Sequence, residues 1–338
     1  MKSFFIRPFS LPYAGSAMRL LALPFLLLSV AGSAPSPPTP ASAGEAASLQ
    51  TTTLRRADAR VAAVGYRLAT AGRALCPTTY PLTGIVFHHL AEYLSADRPL
   101  MVRLYGLDRG PGLLTVLGGS PAARAGLQAG DVLLAVNGRP FPSPAAEVTA
   151  GGKWRPLAEA GERQLDDALR SGPAQLTVLR QGRQFEATLG SVPGCFGRVR
   201  LARNPQVNAF SNGQDVVVTT AMLDFVRNDD ELALIVGHEL GHFILGHPPM
   251  ATGDKLLASI GIRAETYWKR EEAADRMAIR LMAAAGYDLD AVIPFWRRFL
   301  GKYDNDPQIF RYHPSLEARE RIAREEIAAI RGATPAAR

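Results

Sequence analysis

Cysteine is nearly absent from the chain: 338 residues hold two, Cys76 and Cys195. That excludes a disulfide-dense scaffold and a four-cysteine zinc site, leaving one bridge or two thiols. Histidine is almost as scarce, with six in all, yet His238, His242 and His247 fall within a single stretch of ten residues. A long apolar run is missing too. The stretch "LLALPFLLLSVAGSA" (20–34) has 15 residues and is broken by Pro24, short of the ~20 that a spanning helix needs. No cysteine follows it to carry a lipid. Basic residues do not cluster with aromatics, and of the formal charge of +7, Lys2, Arg7 and Arg19 sit in an acid-free N-terminal segment. Setting these aside leaves a mildly basic chain, for which no nucleic-acid partner is expected.

What is present at the N-terminus has the order of an export signal. Basic residues precede the apolar stretch, and Ala41-Ser42-Ala43 offers small residues where a signal peptidase inspects the chain. Residues 1–43 are therefore expected to be a signal peptide, and 44–53 a disordered leader. The expected location is periplasmic or otherwise extracytoplasmic. There an even pair of cysteines closes, so a Cys76–Cys195 disulfide is expected. No transmembrane span is expected in the mature chain, which leaves peripheral membrane association as the one mode of membrane contact.

From Leu54 to Leu75 the apolar spacing is helical, with Val61, Val64 and Leu68 on one face. His88 and His89, in "GIVFHHLAEYL", have no ligand cluster beside them and read as surface or capping histidines. Residues 112–141 then alternate as strand, Gly-Gly-Ser-Pro turn, short helix and a second strand closed by Asn137-Gly138. A helix with Leu165 and Leu169 four apart follows, then a hairpin in "QLTVLRQGRQFEATL". This order, with "GSPAARAGLQAGDVLLAVNG" (119–138), resembles a bacterial PDZ domain of envelope proteases over roughly residues 98–192. The resemblance implies a small sheet with two helices that takes a peptide ligand as an added strand. The strand expected to receive it is "VRLYGL" (102–107), whose preceding "RPLM" lacks the family's glycine; a spacer role is the alternative.

The densest chemistry is in "IVGHELGHFILGH" (235–247). At ~100° per residue, positions i and i+4 share a helix face. His238 and His242 therefore project together, with Glu239 beside them. Two imidazoles can grip a zinc ion while the carboxylate activates a water on it. A catalytic zinc takes three protein ligands. His247, five residues beyond His242 and beside Gly246 and Pro248, is expected at the helix end, near the site. Downstream, "KREEAADRMAIRLM" offers Glu271 or Glu272 as third ligand and Asp275 to orient a ligand imidazole. Ala274 and Ala278 permit close packing of the two helices.

"NAF" (208–210), "HELGHFILGH", "EEAAD" (271–275) and "HPSLEAR" (313–319) occur in the order seen in the HtpX and CAAX-prenyl endopeptidase family of gluzincin zinc metallopeptidases, which the chain resembles over 54–84 and 196–330. The resemblance selects Glu271 as the third ligand to one Zn2+ per chain. It puts Asn208 and Ala209 on a strand that pairs with substrate. It also gives His313 and Arg319 catalytic roles near the substrate or the developing oxyanion. Cys76 and Cys195 would staple the base of the insertion. The implied fold is α+β: a mainly helical zincin-like peptidase domain (54–97 and 193–333) with a small edge sheet, and a PDZ domain (98–192) inserted. The hydrophobic hairpin of membrane members is lacking, since residues 247–270 offer only "LLASIGI". The implied function is an exported zinc endopeptidase acting on envelope proteins in quality control, with protein or peptide substrates chosen through the PDZ domain. A catalytically silent PDZ scaffold and a zinc-dependent chaperone or assembly factor are the competing readings.

Overall fold

The computed structural model describes residues 43–93, 95–142, 154–195, 198–211, 215–248, 264–303 and 314–333. The expected signal peptide, apart from its last residue, lies outside them, as do His313 and the "LLASIGI" run.

Two cores organise these residues. Around the larger one, helix α1 (Ala43–Ala71) packs against a three-stranded sheet and a set of helices. The helix begins at Ala43 rather than near Leu54, so the expected leader is helical. The reason is compositional: "AGEAASLQ" is rich in Ala, Glu, Leu and Gln, which have high helix propensity. The sheet comprises β9 (Arg198–Ala202), β10 (Ala209–Ser211) and β11 (Asp215–Thr219) in the order β10-β11-β9, with β9 parallel and β10 antiparallel to β11. Gly65 lets α1 lie directly on β9; a Cβ there would meet Val199 Cγ2 at 2.2 Å.

Helices α5 (Thr220–Phe225) and α6 (Asp229–Ile244) follow, with the break between them at Asn228. Asn228 caps α6 by accepting from the Glu231 amide at 3.0 Å. Asp229, Asp230 and Glu231 complement the dipole of its first turn. Next come α7 (Ala264–Ala284), α8 (Val292–Tyr303) and α9 (Leu316–Ala333). Glu231 takes both guanidinium arms of Arg298, which fixes the start of α6 to α8.

The smaller core belongs to a six-stranded sheet. Its strands are β2 (Ile85–His88), β3 (Gly112–Val116), β4 (Val132–Val136), β6 (Ala174–Arg180) and β7 (Arg183–Leu189) in that order, with β5 (Arg139–Pro140) paired to β4. Helices α3 (Pro121–Arg124) and α4 (Trp154–Arg170) complete the unit. Asn137 and Gly138 at φ 49° and 75° close the β4–β5 turn. The elements expected between 112 and 189 are present.

The boundary at 98 is corrected. The sheet starts at Ile85, and "VRLYGL" does not form a strand: Arg98–Tyr105 is helix α2. Pro99 in its first turn and Gly106 at φ 64° after its last are the helix start and stop that the sequence carried. His88 and His89 are also not at the surface. They are 1% and 5% exposed, and His88 Nδ1 lies 2.8 Å from the Tyr93 hydroxyl. The strand ends beneath α2 and α4, and burial pushes His88 down to about 3 and His89 to about 4, so both are neutral.

The two units are joined by a two-stranded antiparallel ribbon of β1 (Thr79–Leu82) and β8 (Val192–Cys195). Cys76 and Cys195 are bonded there, with Cα atoms 5.6 Å apart, as expected. None of the helices among the described residues is long and apolar enough to cross a membrane.

Candidate metal centre

The site forms where α6 crosses α7, and glycine makes the crossing close. A Cβ on Gly237 would meet Ala278 Cα at 3.3 Å, and one on Gly241 would meet the Ala274 carbonyl oxygen at 3.1 Å. The small residues of α7 thus face glycines of α6, and Glu271 is carried up to the two histidines.

His238 Nε2 lies 3.2 Å from His242 Nε2 and 3.3 Å from Glu271 Oε2, and His242 Nε2 lies 3.4 Å from Glu271 Oε1. One ligand atom from each residue falls within 4.8 Å of the others. Bonds of about 2.0–2.1 Å to a tetrahedral ion place ligand atoms about 3.3 Å apart. Two imidazole nitrogens and a carboxylate at this spacing fit zinc and leave a fourth position open.

Each imidazole is held from behind. His238 Nδ1 is 2.8 Å from Asp275 Oδ1, which also accepts from Arg319 Nη1 at 2.5 Å. Burial alone would lower His238, but Asp275 and Glu271 outweigh it and raise it to about 10. His242 Nδ1 is 3.0 Å from His247 Nδ1. Burial, His242 and Arg270 push His247 down to about 4, so it is neutral. His247 therefore sits at the helix end, touching the site from outside the ligand triangle.

Arg319, expected near the substrate or the oxyanion, is found bonded to Asp275. It is 3% exposed, stacks 3.8 Å over the Trp296 ring and lies 4.0 Å from Glu271 Oε2, behind the ligands. Trp296, between Arg319 and His238, escaped the sequence reading, as did the two glycines. Glu272, one residue past Glu271, turns away to Arg321 Nη2 at 3.4 Å.

Glu239 is half-buried on α6. Strand β10 packs against α6. Its partner β11 occupies one edge, and the other has no strand partner among the described residues. Asn208, exposed, leads into it and Ala209 begins it; the Asn208 carbonyl accepts from the Thr219 amide at 3.0 Å, which fixes the entry.

The comparisons bear on this arrangement. Residues 185–271 and 256–327 match the family model described as Peptidase family M48, and residues 114–149 match the PDZ domain. The mitochondrial metalloendopeptidase OMA1 of Arabidopsis thaliana is 27% identical over 159 residues, 40% of this chain and 33% of the relative; the match thus spans about a third of that protein. Among solved structures, the PDZ domain of HtrA3 bound to a phage-derived ligand is 21% identical, covers 34% of this chain and 88% of that one, and gives a TM-score of 0.24. The serine endoprotease from Yersinia pestis is 18% identical over 34% of this chain and 30% of that one, with a TM-score of 0.20. The PDZ assignment rests on the family match and on the strand and helix order described above. The M48 match covers the crossing of α6 and α7, so the helices that carry His238, His242 and Glu271 are similar to those of M48 peptidases, and the PDZ match falls in the six-stranded unit.

Proposed function

We propose that the chain is an exported zinc-dependent endopeptidase that hydrolyses envelope proteins, with its PDZ unit selecting substrates and its cellular task lying in protein quality control. The observation that carries the zinc reading is the convergence of His238, His242 and Glu271: the two Nε2 atoms lie 3.2 Å apart, each is 3.3–3.4 Å from one Glu271 oxygen, and one ligand atom from each residue falls within 4.8 Å of the others. Zinc, when bound, supplies a Lewis acid that acidifies a water and stabilises negative charge on the scissile carbonyl oxygen.

The remaining work falls to the chain. Glu239 takes a proton from the water as its oxygen attacks the carbonyl carbon, and returns it to the leaving nitrogen as the C–N bond breaks. The free edge of β10, from Asn208 and Ala209, pairs with an extended substrate and aligns it along α6. Asp275 and Arg319 hold His238, and His247 holds His242, so that both Nε2 lone pairs point inward.

Two features support export. Residues 1–43 carry the signal pattern, and the Cys76–Cys195 bond fits an oxidising compartment. The test is Glu239→Gln. It is expected to keep the fold and bind zinc like wild type, and to cleave casein at least about 100-fold more slowly. Activity close to wild type with zinc retained would overturn the assignment of Glu239. A strain carrying the variant should accumulate uncut envelope proteins.

A further inference from the structure

The PDZ unit offers a peptide groove in an unexpected position. Its walls are β2 and α4, and it starts at Gly84, whose φ of 77° turns the chain into the strand. The outer edge of β2 has no strand partner among the described residues. Yet the groove is not bounded by the PDZ unit alone. Ala62, Tyr66 and Ala69 of α1 and Val199 of β9 form its third side. Although they line a cavity, Ala62, Ala69, Leu165 and Val199 are all buried. The space left between these walls is about 120 Å³.

A charge cluster fastens this closure. Glu162 of α4 is 3% exposed and pairs with both Arg198 and Arg200 of β9. The same two arginines share Asp215 Oδ1 of β11 at 3.3 and 3.2 Å, and Arg200 lies 3.9 Å from Glu92. Arg198 and Arg200 therefore reach across the boundary between the units. Covalently the units are connected only through the stapled β1–β8 ribbon, which can serve as a hinge.

We infer that the PDZ groove is held shut against the peptidase by the Glu162–Arg198–Arg200–Asp215 clasp, and that a polypeptide end reaches the β2 edge only when the clasp releases and the unit turns on the ribbon. This rests on the reading of the groove as a peptide site. Closure lowers apparent affinity in proportion to the open fraction, so a clasp that is mostly closed hides an intrinsically competent groove. A ligand that favours the open state then separates α4 from β9. That strand belongs to the sheet whose far strand, β10, lies on the metal-bearing helix, so occupancy is reported to the catalytic side.

The experiment uses the full chain, Glu162→Gln, and Arg198→Gln, which breaks the same clasp from the β9 side. Amide hydrogen exchange is read at residues 62–69 and 85–88, with α6 as internal control. Binding is read with a labelled octapeptide ending in a free-carboxylate valine and with its C-terminal amide. In Glu162→Gln, exchange at both segments should rise more than ~10-fold with α6 unchanged, and the free-acid peptide should bind at least ~10-fold tighter than to wild type. Arg198→Gln should release the same two segments. Equal exchange in wild type and Glu162→Gln overturns the clasp, as does equal peptide affinity. Should α6 exchange faster too in both variants, peptide affinity decides: tighter binding of the free-acid peptide supports the clasp, and affinity equal to wild type overturns it. Released exchange with no peptide bound by any form keeps the clasp and removes the peptide reading of the groove instead.

Discussion

Glu271 is 8% exposed and faces both imidazoles, whereas Glu272, half-buried, turns to Arg321 on α9. One residue of helix rotation, ~100°, separates a ligand from a surface ion pair. Glu271→Ala should therefore lose bound zinc, while Glu272→Ala keeps it and changes stability by no more than about 1 kcal/mol. Elemental analysis of the two purified variants decides between them, and equal zinc in Glu271→Ala and wild type would refute the ligand set. Arg319 makes a subtler prediction. Its guanidinium and the His238 ring share Asp275 Oδ1, so Arg319→Met leaves that carboxylate without its buried cation. Groups that orient a metal ligand in this way change metal affinity by about 10–100-fold. Competition with a zinc chelator should show a loss of that size for Arg319→Met and a smaller one for Arg319→Lys. An unchanged affinity would return Arg319 to the role beside substrate.

Glycine in mid-helix usually costs about 1 kcal/mol relative to alanine, but Gly241 inverts that expectation. An added Cβ meets backbone and Cβ atoms of α7 at 3.1–3.3 Å, and neither helix can yield without carrying Glu271 away from the histidines. Gly241→Ala should lower both thermal stability and zinc affinity, as read by melting with and without chelator; a more stable variant with full affinity would show that α6 and α7 have slack. The ribbon makes a second prediction. Cys76 and Cys195 are 119 residues apart, and a loop of that length gives a bridge worth on the order of 4–5 kcal/mol by chain entropy. Double Cys→Ser replacement should cost several kcal/mol in denaturant unfolding. These elements also show what the sequence could carry. His238, His242 and Glu239 were legible because ligand spacing within one helix is local, and the strands from Gly112 to Leu189 because alternation and Asn137-Gly138 are local too. Helix α2 was readable from Pro99 and Gly106 but was displaced by the expectation of a strand. The pairing of β2 with β3 was not legible, because a helix intervenes between them. Neither was the meeting of Glu162 with Arg198 and Arg200, which depends on how two separately folded units dock. Gly237 and Gly241 look in sequence like weak points of a helix, and only the opposed Ala274 and Ala278 give them a function.

Across the whole molecule, the docked interface carries an excess of buried carboxylate. Glu92 faces Arg200 and Asp215 from the sheet, Glu162 from α4, and the neutral His89 beside it. Burial outweighs Arg200 and raises Glu92 to about 7 from an ordinary 4.5. A carboxyl raised by folding contributes its full stability at low pH and loses it as the pH climbs through the raised value. Relative to Glu92→Gln, which does not titrate there, wild type should lose on the order of 2 kcal/mol between pH 5 and 8; a constant difference across that range would contradict the account of the interface. The division of labour between the units is open to a further test. Leu82 and Val192 are paired across the ribbon, so residues 84–190 can be replaced by a short Gly/Ser turn that closes β1 onto β8. Cleavage of a small unstructured peptide should stay within several-fold of wild type, and cleavage of a protein substrate should slow much more. Equal slowing of both, with zinc retained, would make the PDZ unit part of the catalytic architecture. The claim on which the rest depends is that a single zinc at His238, His242 and Glu271 is required for peptide-bond hydrolysis. Its most direct measurement is the casein-cleaving activity of metal-stripped protein as zinc is added back. Activity should rise linearly from background and break sharply at one equivalent per chain, and a stripped protein that cleaves casein at the same rate with and without zinc would contradict it.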